Sequence, residues 1–138
     1  MTVTTAERSL GERLGLKAGQ VVQEFGRDDD IDDELRKSVE AVTENQLVDE
    51  DHDDVVDVVL LWWREEDGDL FDELTASMES LNDAGLIWLL TPKAGRDGHV
   101  EPSDIGEAAS LAGLAQTKSV SAAMNWSGTL LVAPKVRK

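Results

Sequence analysis

Carboxylates dominate the side chains that could do chemistry, and they cluster in two runs, Asp28-Asp29-Asp30-Ile31-Asp32-Asp33-Glu34 and Asp49-Glu50-Asp51-His52-Asp53-Asp54. Acids at alternate positions are what a calcium loop uses, and Asp28, Asp30 and Asp32 fit the first three odd positions of such a loop. Its sixth position, which needs glycine for a sharp turn, is then Asp33, and its twelfth, which needs a bidentate glutamate, is Val39. Starting from Asp49 puts Asp54 and Leu60 at those positions. Neither run is a calcium loop, and no metal site is expected. There are no cysteines, so thiolate catalysis and cysteine-ligated metals are excluded, and His52 and His99 lie far apart in the chain. No glycine pattern followed by Lys-Ser or Lys-Thr cradles a phosphate. Ser127-Gly128 lacks the leading glycine of a nucleophile elbow. No catalytic residue is assigned.

These residues must be positioned by elements that the hydrophobic pattern outlines. Residues 1–13 are polar and read as a flexible arm, and residues 14–138 as a single domain. Gln20-Val21-Val22-Gln23-Glu24-Phe25 reads as a strand closed by Gly26. Ile31, Leu35, Val39 and Val42 share one helical face, with Asp30 as the cap and further acids in the first turn. Gln46-Leu47-Val48 reads as a short edge strand. The run Val55–Trp63 is continuously apolar apart from Asp57, as in a strand buried on both faces. A helix capped by Asp69 should bury Leu70, Leu74, Met78 and Leu81 and stop at Gly85; Leu86–Leu90 is the next buried strand. Ser103 and Asp104 open a third helix with Ile105, Ala108, Ala109 and Ala112 on one side, ended by Gly113. Lys118–Asn125 and Thr129–Val132 read as strands joined by the turn Trp126-Ser127-Gly128.

The order is that of an α/β domain: a mostly parallel, twisted sheet of about five or six strands with helices on both faces, ending in an antiparallel hairpin. In such sheets ligands bind beyond the carboxyl ends of the strands. Gly26, Arg64 and Thr91-Pro92-Lys93 each follow a strand. If the strand before Trp126 runs parallel to the others, Gly26, Arg64, Thr91, Lys93, Arg96, His99, Trp126 and Ser127 gather on one rim, as a candidate ligand-binding surface. The loop Lys93–His99, with two glycines and basic side chains, could hold an anion. Adjacent Trp62 and Trp63 must point to opposite faces of the sheet. Trp126 either packs back on the sheet edge or marks a contact surface.

This element order, over residues 14–132, is similar to a shortened class I methyltransferase fold, which is Rossmann-like and ends in such a hairpin; a helix–strand–helix stretch is missing from the middle. In sequence, Leu14-Gly15-Leu16-Lys17-Ala18-Gly19-Gln20-Val21, Leu89-Leu90-Thr91-Pro92-Lys93 and Trp126-Ser127-Gly128-Thr129-Leu130-Leu131-Val132 resemble a family of short actinobacterial proteins known as domain of unknown function 3052. That resemblance implies a fold and no mechanism. Methyltransferases carry two or three glycines in the turn after the first strand, where the backbone approaches the cofactor; here Glu24-Phe25-Gly26-Arg27-Asp28 has one, followed by aspartates that would repel a pyrophosphate. Asp49 or Glu50 stands where an acid would grip a cofactor ribose. No cofactor is expected, and S-adenosylmethionine is disfavoured by the missing glycines.

Charge narrows the partners. The chain has 29 acidic against 13 basic side chains, a net charge of −16. Phosphate backbones and anionic membranes repel it, so neither nucleic acid nor membrane is an expected partner. The charge favours solubility, or suits high salt, and would attract a basic protein. The N-terminal stretch lacks a basic region followed by an apolar one, so a cytoplasmic location is the default. The leading expectation is a non-catalytic binding or regulatory domain whose partner is another protein or a small anionic ligand. The alternatives are a divergent methyltransferase-like enzyme or small-molecule-binding protein, and an acidic accessory protein for a basic partner.

Overall fold

A computed structural model describes residues 10–133. Residues 1–9 of the expected arm, and the basic tail from Pro134 to Lys138, lie outside the described residues. The elements are α1 (Leu10–Arg13), β1 (Val22–Phe25), α2 (Asp33–Thr43), β2 (Val56–Trp62), α3 (Leu70–Ser77), β3 (Leu81–Pro92), α4 (Pro102–Leu111), β4 (Ala115–Ser121) and β5 (Trp126–Val132). The sheet order is β1-β2-β3-β5-β4. β1, β2 and β3 are parallel neighbours, whereas β5 is antiparallel to both β3 and β4. The sheet is therefore mixed and not mostly parallel as expected. The reason is that the closing hairpin inserts its second strand between β3 and β4, so antiparallel pairings are as many as parallel ones. The short edge strand at Gln46–Val48 reduces to a single bridge, Gln23 to Val48, beside β1.

Side-chain alternation sends the strands' apolar residues into two cores. On one face Val22, Val58, Leu60, Trp62, Trp88 and Leu90 pack under Leu35 and Val39 of α2 and under Leu14 and Leu16. On the other, Phe25, Val59, Leu61, Trp63, Ile87 and Leu89 pack under Leu70 and Leu74 of α3 and Ile105 and Ala109 of α4. Trp62 and Trp63 thus lie on opposite faces, as adjacent strand residues must. Two indole N–H groups in the first core find acceptors. Trp88 donates to the Leu14 carbonyl at 3.0 Å and Trp62 to the Glu24 carboxylate at 2.8 Å. Glu24 is buried and also accepts two hydrogen bonds from the Arg36 fork, at 2.8 and 3.0 Å.

Three local expectations are corrected. The cap of α2 is Asp32, which accepts from the Leu35 N–H at 2.9 Å, because the Asp30 carboxylate is engaged by Arg64. α3 ends at Ser77, short of Leu81 and Gly85. Leu81 instead opens β3, pairing with Val56, and residues 82–85 form a bulge before Leu86 meets Val58. Asn82 anchors that bulge by donating to Asp57 at 2.7 Å, and Asp57 also accepts from the Val21 N–H. Finally, Trp126-Ser127-Gly128 is not the hairpin turn. It lies within β5, and the chain reverses at residues 122–125. Gly128 serves packing, not a positive φ: a Cβ there would sit 3.2 Å from both the Trp88 ring and the Ala122 methyl.

Candidate functional site

The carboxyl ends of β1, β2 and β3 open on one edge, and the β4–β5 reversal reaches the same edge because Trp126 pairs with Pro92 and the Lys93 N–H bonds the Asn125 carbonyl at 3.0 Å. The turn after β1 is built on Gly26, at φ +78°. A Cβ there would fall 2.2 Å from the Trp62 carbonyl oxygen, so only glycine allows β1 to close this tightly on β2. Its N–H is taken by the Glu50 carboxylate at 3.0 Å, and its carbonyl by Arg64 Nη1 at 2.9 Å.

Arg64 is the centre of this edge. It leaves β2 with a buried side chain, forks onto Asp30 through Nε and Nη2, and reaches Asp67 at 3.2 Å. Its guanidinium carbon lies 5.3 Å from the centre of the Trp126 ring, which itself meets Trp62 edge-on at 4.8 Å. Trp126 therefore packs back on the sheet and props the arginine. Burial opposes the charge of Arg64, but the bonds to Asp30 and Asp67 outweigh it and raise its pKa. The hydrogen bond from Arg64 holds the Asp30 carboxyl below its ordinary value against a smaller effect of burial.

The remaining rim residues gather around this network with their charges differently placed. Lys93 is half-buried, and its Nζ donates to Ser121 Oγ at 2.7 Å in an exposed hydrogen bond. His99 lies 2.9 Å from the Pro92 carbonyl through Nδ1 and 3.9 Å from Glu101 through Nε2. Arg96 is exposed on the loop between them. Gly98 packs against the Arg64 stem, and its carbonyl accepts from the Glu65 N–H at 2.9 Å. Thr91 is buried in the sheet, opposite half-buried Ser127. Beside this rim a crevice of about 270 Å³ is bordered by Gly26, Arg64 and the carboxylates of Asp28, Glu50, Asp67 and Glu73. The edge is thus more acidic than its basic residues imply. Asp67 and Glu73 are not marked in the sequence because acids are too frequent there to single them out, and Asp30, expected as a helix cap, is instead the partner of Arg64. Glu50, one of the two acids placed for a ribose, binds the Gly26 amide.

Burial, together with the charges of Glu50 and Asp67, raises the Glu73 pKa. Among the described residues no group of three or more His, Asp or Glu side chains is arranged to hold a metal ion, and no helix is long and apolar enough to cross a membrane.

Comparison with solved structures places the fold. The chain is similar to the pyocyanin biosynthetic protein PhzM (TM-score 0.60, 14% identity, covering 91% of this chain and 54% of that one). It is also similar to the O-methyltransferase NcsB1 of neocarzinostatin biosynthesis, solved with S-adenosyl-L-homocysteine (0.61, 14%, 84% and 50%). It spans about half the length of each of these two. A TehB-like SAM-dependent methyltransferase from Corynebacterium glutamicum matches over 91% of this chain and 86% of its own (0.56, 11%). At these identities the likeness is one of fold: an α/β, methyltransferase-like, Rossmann-like frame. In sequence, uncharacterised proteins of Mycobacterium bovis and Mycobacterium tuberculosis are 47% identical over 138 residues, covering 99% of this chain and 87% of theirs. Residues 11–135 match the family described as Protein of unknown function (DUF3052), and the chain belongs to that family.

Proposed function

We propose that this chain is a non-catalytic binding domain that keeps a methyltransferase-type frame and uses its carboxyl rim to contact a partner protein. The observation that carries this reading is the Arg64 network. Where the fold would open a cofactor crevice, Arg64 is forked onto Asp30, bonded to the Gly26 carbonyl and backed by Trp126. Both backbone groups of the only glycine in the turn have partners from within the chain. The main cation of the rim is neutralised, which favours a protein surface over a small anion as the partner. Met124, 81% exposed in the reversal beside Trp126, offers such a surface an adaptable apolar contact.

The test is a thermal melt and calorimetric titration with S-adenosylmethionine and S-adenosyl-L-homocysteine. The expected result is no heat and no shift. A ligand at a hundred times its Kd adds about 2.7 kcal/mol, several degrees for a domain of this size, and a shift of that kind would overturn the reading. It would favour the second reading, a divergent methyltransferase-like enzyme or small-molecule-binding protein, which the shared topology supports. If a partner held by the immobilised chain is released by Met124→Glu, the rim is its contact; if moderate salt alone releases it, an acidic accessory role for a basic partner gains.

A further inference from the structure

We infer that the cleft between α3 and the loop of residues 49–53 is a binding site for an extended organic cation with several N–H donors, of the linear polyamine class. This cleft lies beside the Arg64 crevice and shares the walls Glu50 and Glu73 with it, on the side of the sheet that α3 covers. It measures about 550 Å³ and is walled by Glu50, Asp51 and Asp53 on the loop and by Glu73 and Glu79 from α3 and its exit, with Gln23 at its floor.

Gln23 is the observation that points to a ligand. It is 2% exposed, on a strand otherwise filled with apolar or ion-paired side chains, and it faces the α3 side of the sheet next to Phe25. Its amide nitrogen donates to the carbonyls of Asp49 and His52, at 3.1 and 3.0 Å. Those two acceptors fix the amide, because flipping it would set oxygen against oxygen. The other end, Oε1, is buried and has no hydrogen-bond partner, on a residue that lines the cleft. A buried amide oxygen without a donor is a costly arrangement, and a ligand N–H relieves it.

The surroundings select the kind of donor. The acidic side chains lining the cleft, Glu50, Asp51, Asp53, Glu73 and Glu79, meet no Lys or Arg there, which selects a cationic ligand. The acids are spread along the walls and do not converge as metal ligands do, which suits separated ammonium groups better than a point ion. Glu73 is half-buried, and its pKa is raised by burial and by the charges of Glu50 and Asp67. An ammonium beside it would relieve that repulsion. Ala76 lies on the α3 wall, leaving room for the methylene chain.

The experiment is calorimetric titration of the full chain with spermidine in 0.15 M salt, with magnesium at matched ionic strength as control and the side-chain amide resonances of Gln23 followed by NMR. The expected result is saturable one-to-one binding that magnesium does not reproduce, with the Gln23 amide resonances shifting along the titration. Glu73→Gln/Glu79→Gln should weaken binding about 10-fold or more, since each substitution removes the charge that assists a hydrogen bond to an ammonium group. Glu101→Gln/Glu107→Gln removes the same charge at α4 and should leave binding within about twofold. Ala76→Trp, on an exposed wall position, should block it. Absent or unsaturable binding, equal weakening by both double variants, or binding that survives Ala76→Trp would each overturn the assignment. A lysine-rich peptide that binds with the same variant pattern while spermidine does not would move the site from a free amine to a protein side chain. None of these outcomes depends on the S-adenosylmethionine titration.

Discussion

Arg64 is the residue around which the rim is organised. Its sequence position, just after a buried strand, is as compatible with an anion-binding cation as with a structural one. The difference lies in its partners: Asp67, three residues on in the turn before α3, and Asp30 from the loop before α2, which approaches only in the folded chain. Arg64→Leu should leave two carboxylates facing each other across an emptied fork. Because Asp30 is half exposed and Asp67 partly so, the cost is smaller than for a sealed pair, about 1–3 kcal/mol by urea melting at pH 7. Arg64→Lys should recover only part of it, since an ammonium cannot hold Asp30, Asp67 and the Gly26 carbonyl together. The loss should also depend on pH. Arg64 depresses the Asp30 pKa, so the unfolded chain takes up that proton at a higher pH than the folded one. The stabilisation is whole above the ordinary carboxylate range and fades as pH falls through the depressed value. The gap between wild type and Arg64→Leu should therefore narrow below about pH 4. A gap that stays constant with pH would assign the effect to lost packing alone.

At the scale of elements, the parts legible in the sequence are those governed by a short-range pattern. The apolar run at β2, the 3.6-residue stripe of α2 and the Asp69 cap of α3 are local signals, and the structure follows them. The hairpin was misplaced because Trp126-Ser127-Gly128 has the composition of a turn, and what overrides it is long-range: Trp126 needs the Trp62 edge, and Gly128 needs to clear the Trp88 ring. In the same way Gly85 resembles a helix stop, but strand pairing with Val56 captures Leu81 first. The gathering of Gly26, Arg64 and Trp126 was legible from topology, since strand ends share an edge. The Asp30–Arg64 pairing and the orphaned Gln23 oxygen were not, because neither has a spacing signature, whereas Asp67 stands three residues after Arg64. Gln23 inside Val21-Val22-Gln23-Glu24-Phe25 was the available hint, a polar residue at a position the alternation buries. The Gly128 reading has a direct consequence. Gly128→Ala should destabilise by about 1–3 kcal/mol through crowding of Trp88 and Ala122, with a changed near-ultraviolet tryptophan signal. If Gly128 served a left-handed turn instead, the penalty would be of backbone origin and would leave the Trp88 environment unchanged.

For the whole molecule the governing quantity is its charge. A domain of this length has a radius of gyration of roughly 14 Å, while the screening length is about 30 Å at 0.01 M salt and about 8 Å at 0.15 M. At low salt, then, every carboxylate of a chain carrying −16 feels all the others, and folding concentrates that repulsion. The favourable pairs work at short range and are partly shielded from solvent: Glu24 with Arg36, and Arg64 with Asp30 and Asp67. Screening therefore removes repulsion faster than attraction. The melting temperature should rise between 0.01 and 0.15 M sodium chloride and then level off, measured at one pH by scanning calorimetry. A rise continuing into the molar range would indicate a surface adapted to high salt, where ion and water binding by the carboxylates adds to screening. A fall with added salt would mean that the ion pairs at the ends of β1 and β2 outweigh the repulsion of the rest. In that case the acidic surface would be balanced within the chain and would not stand ready for a basic partner.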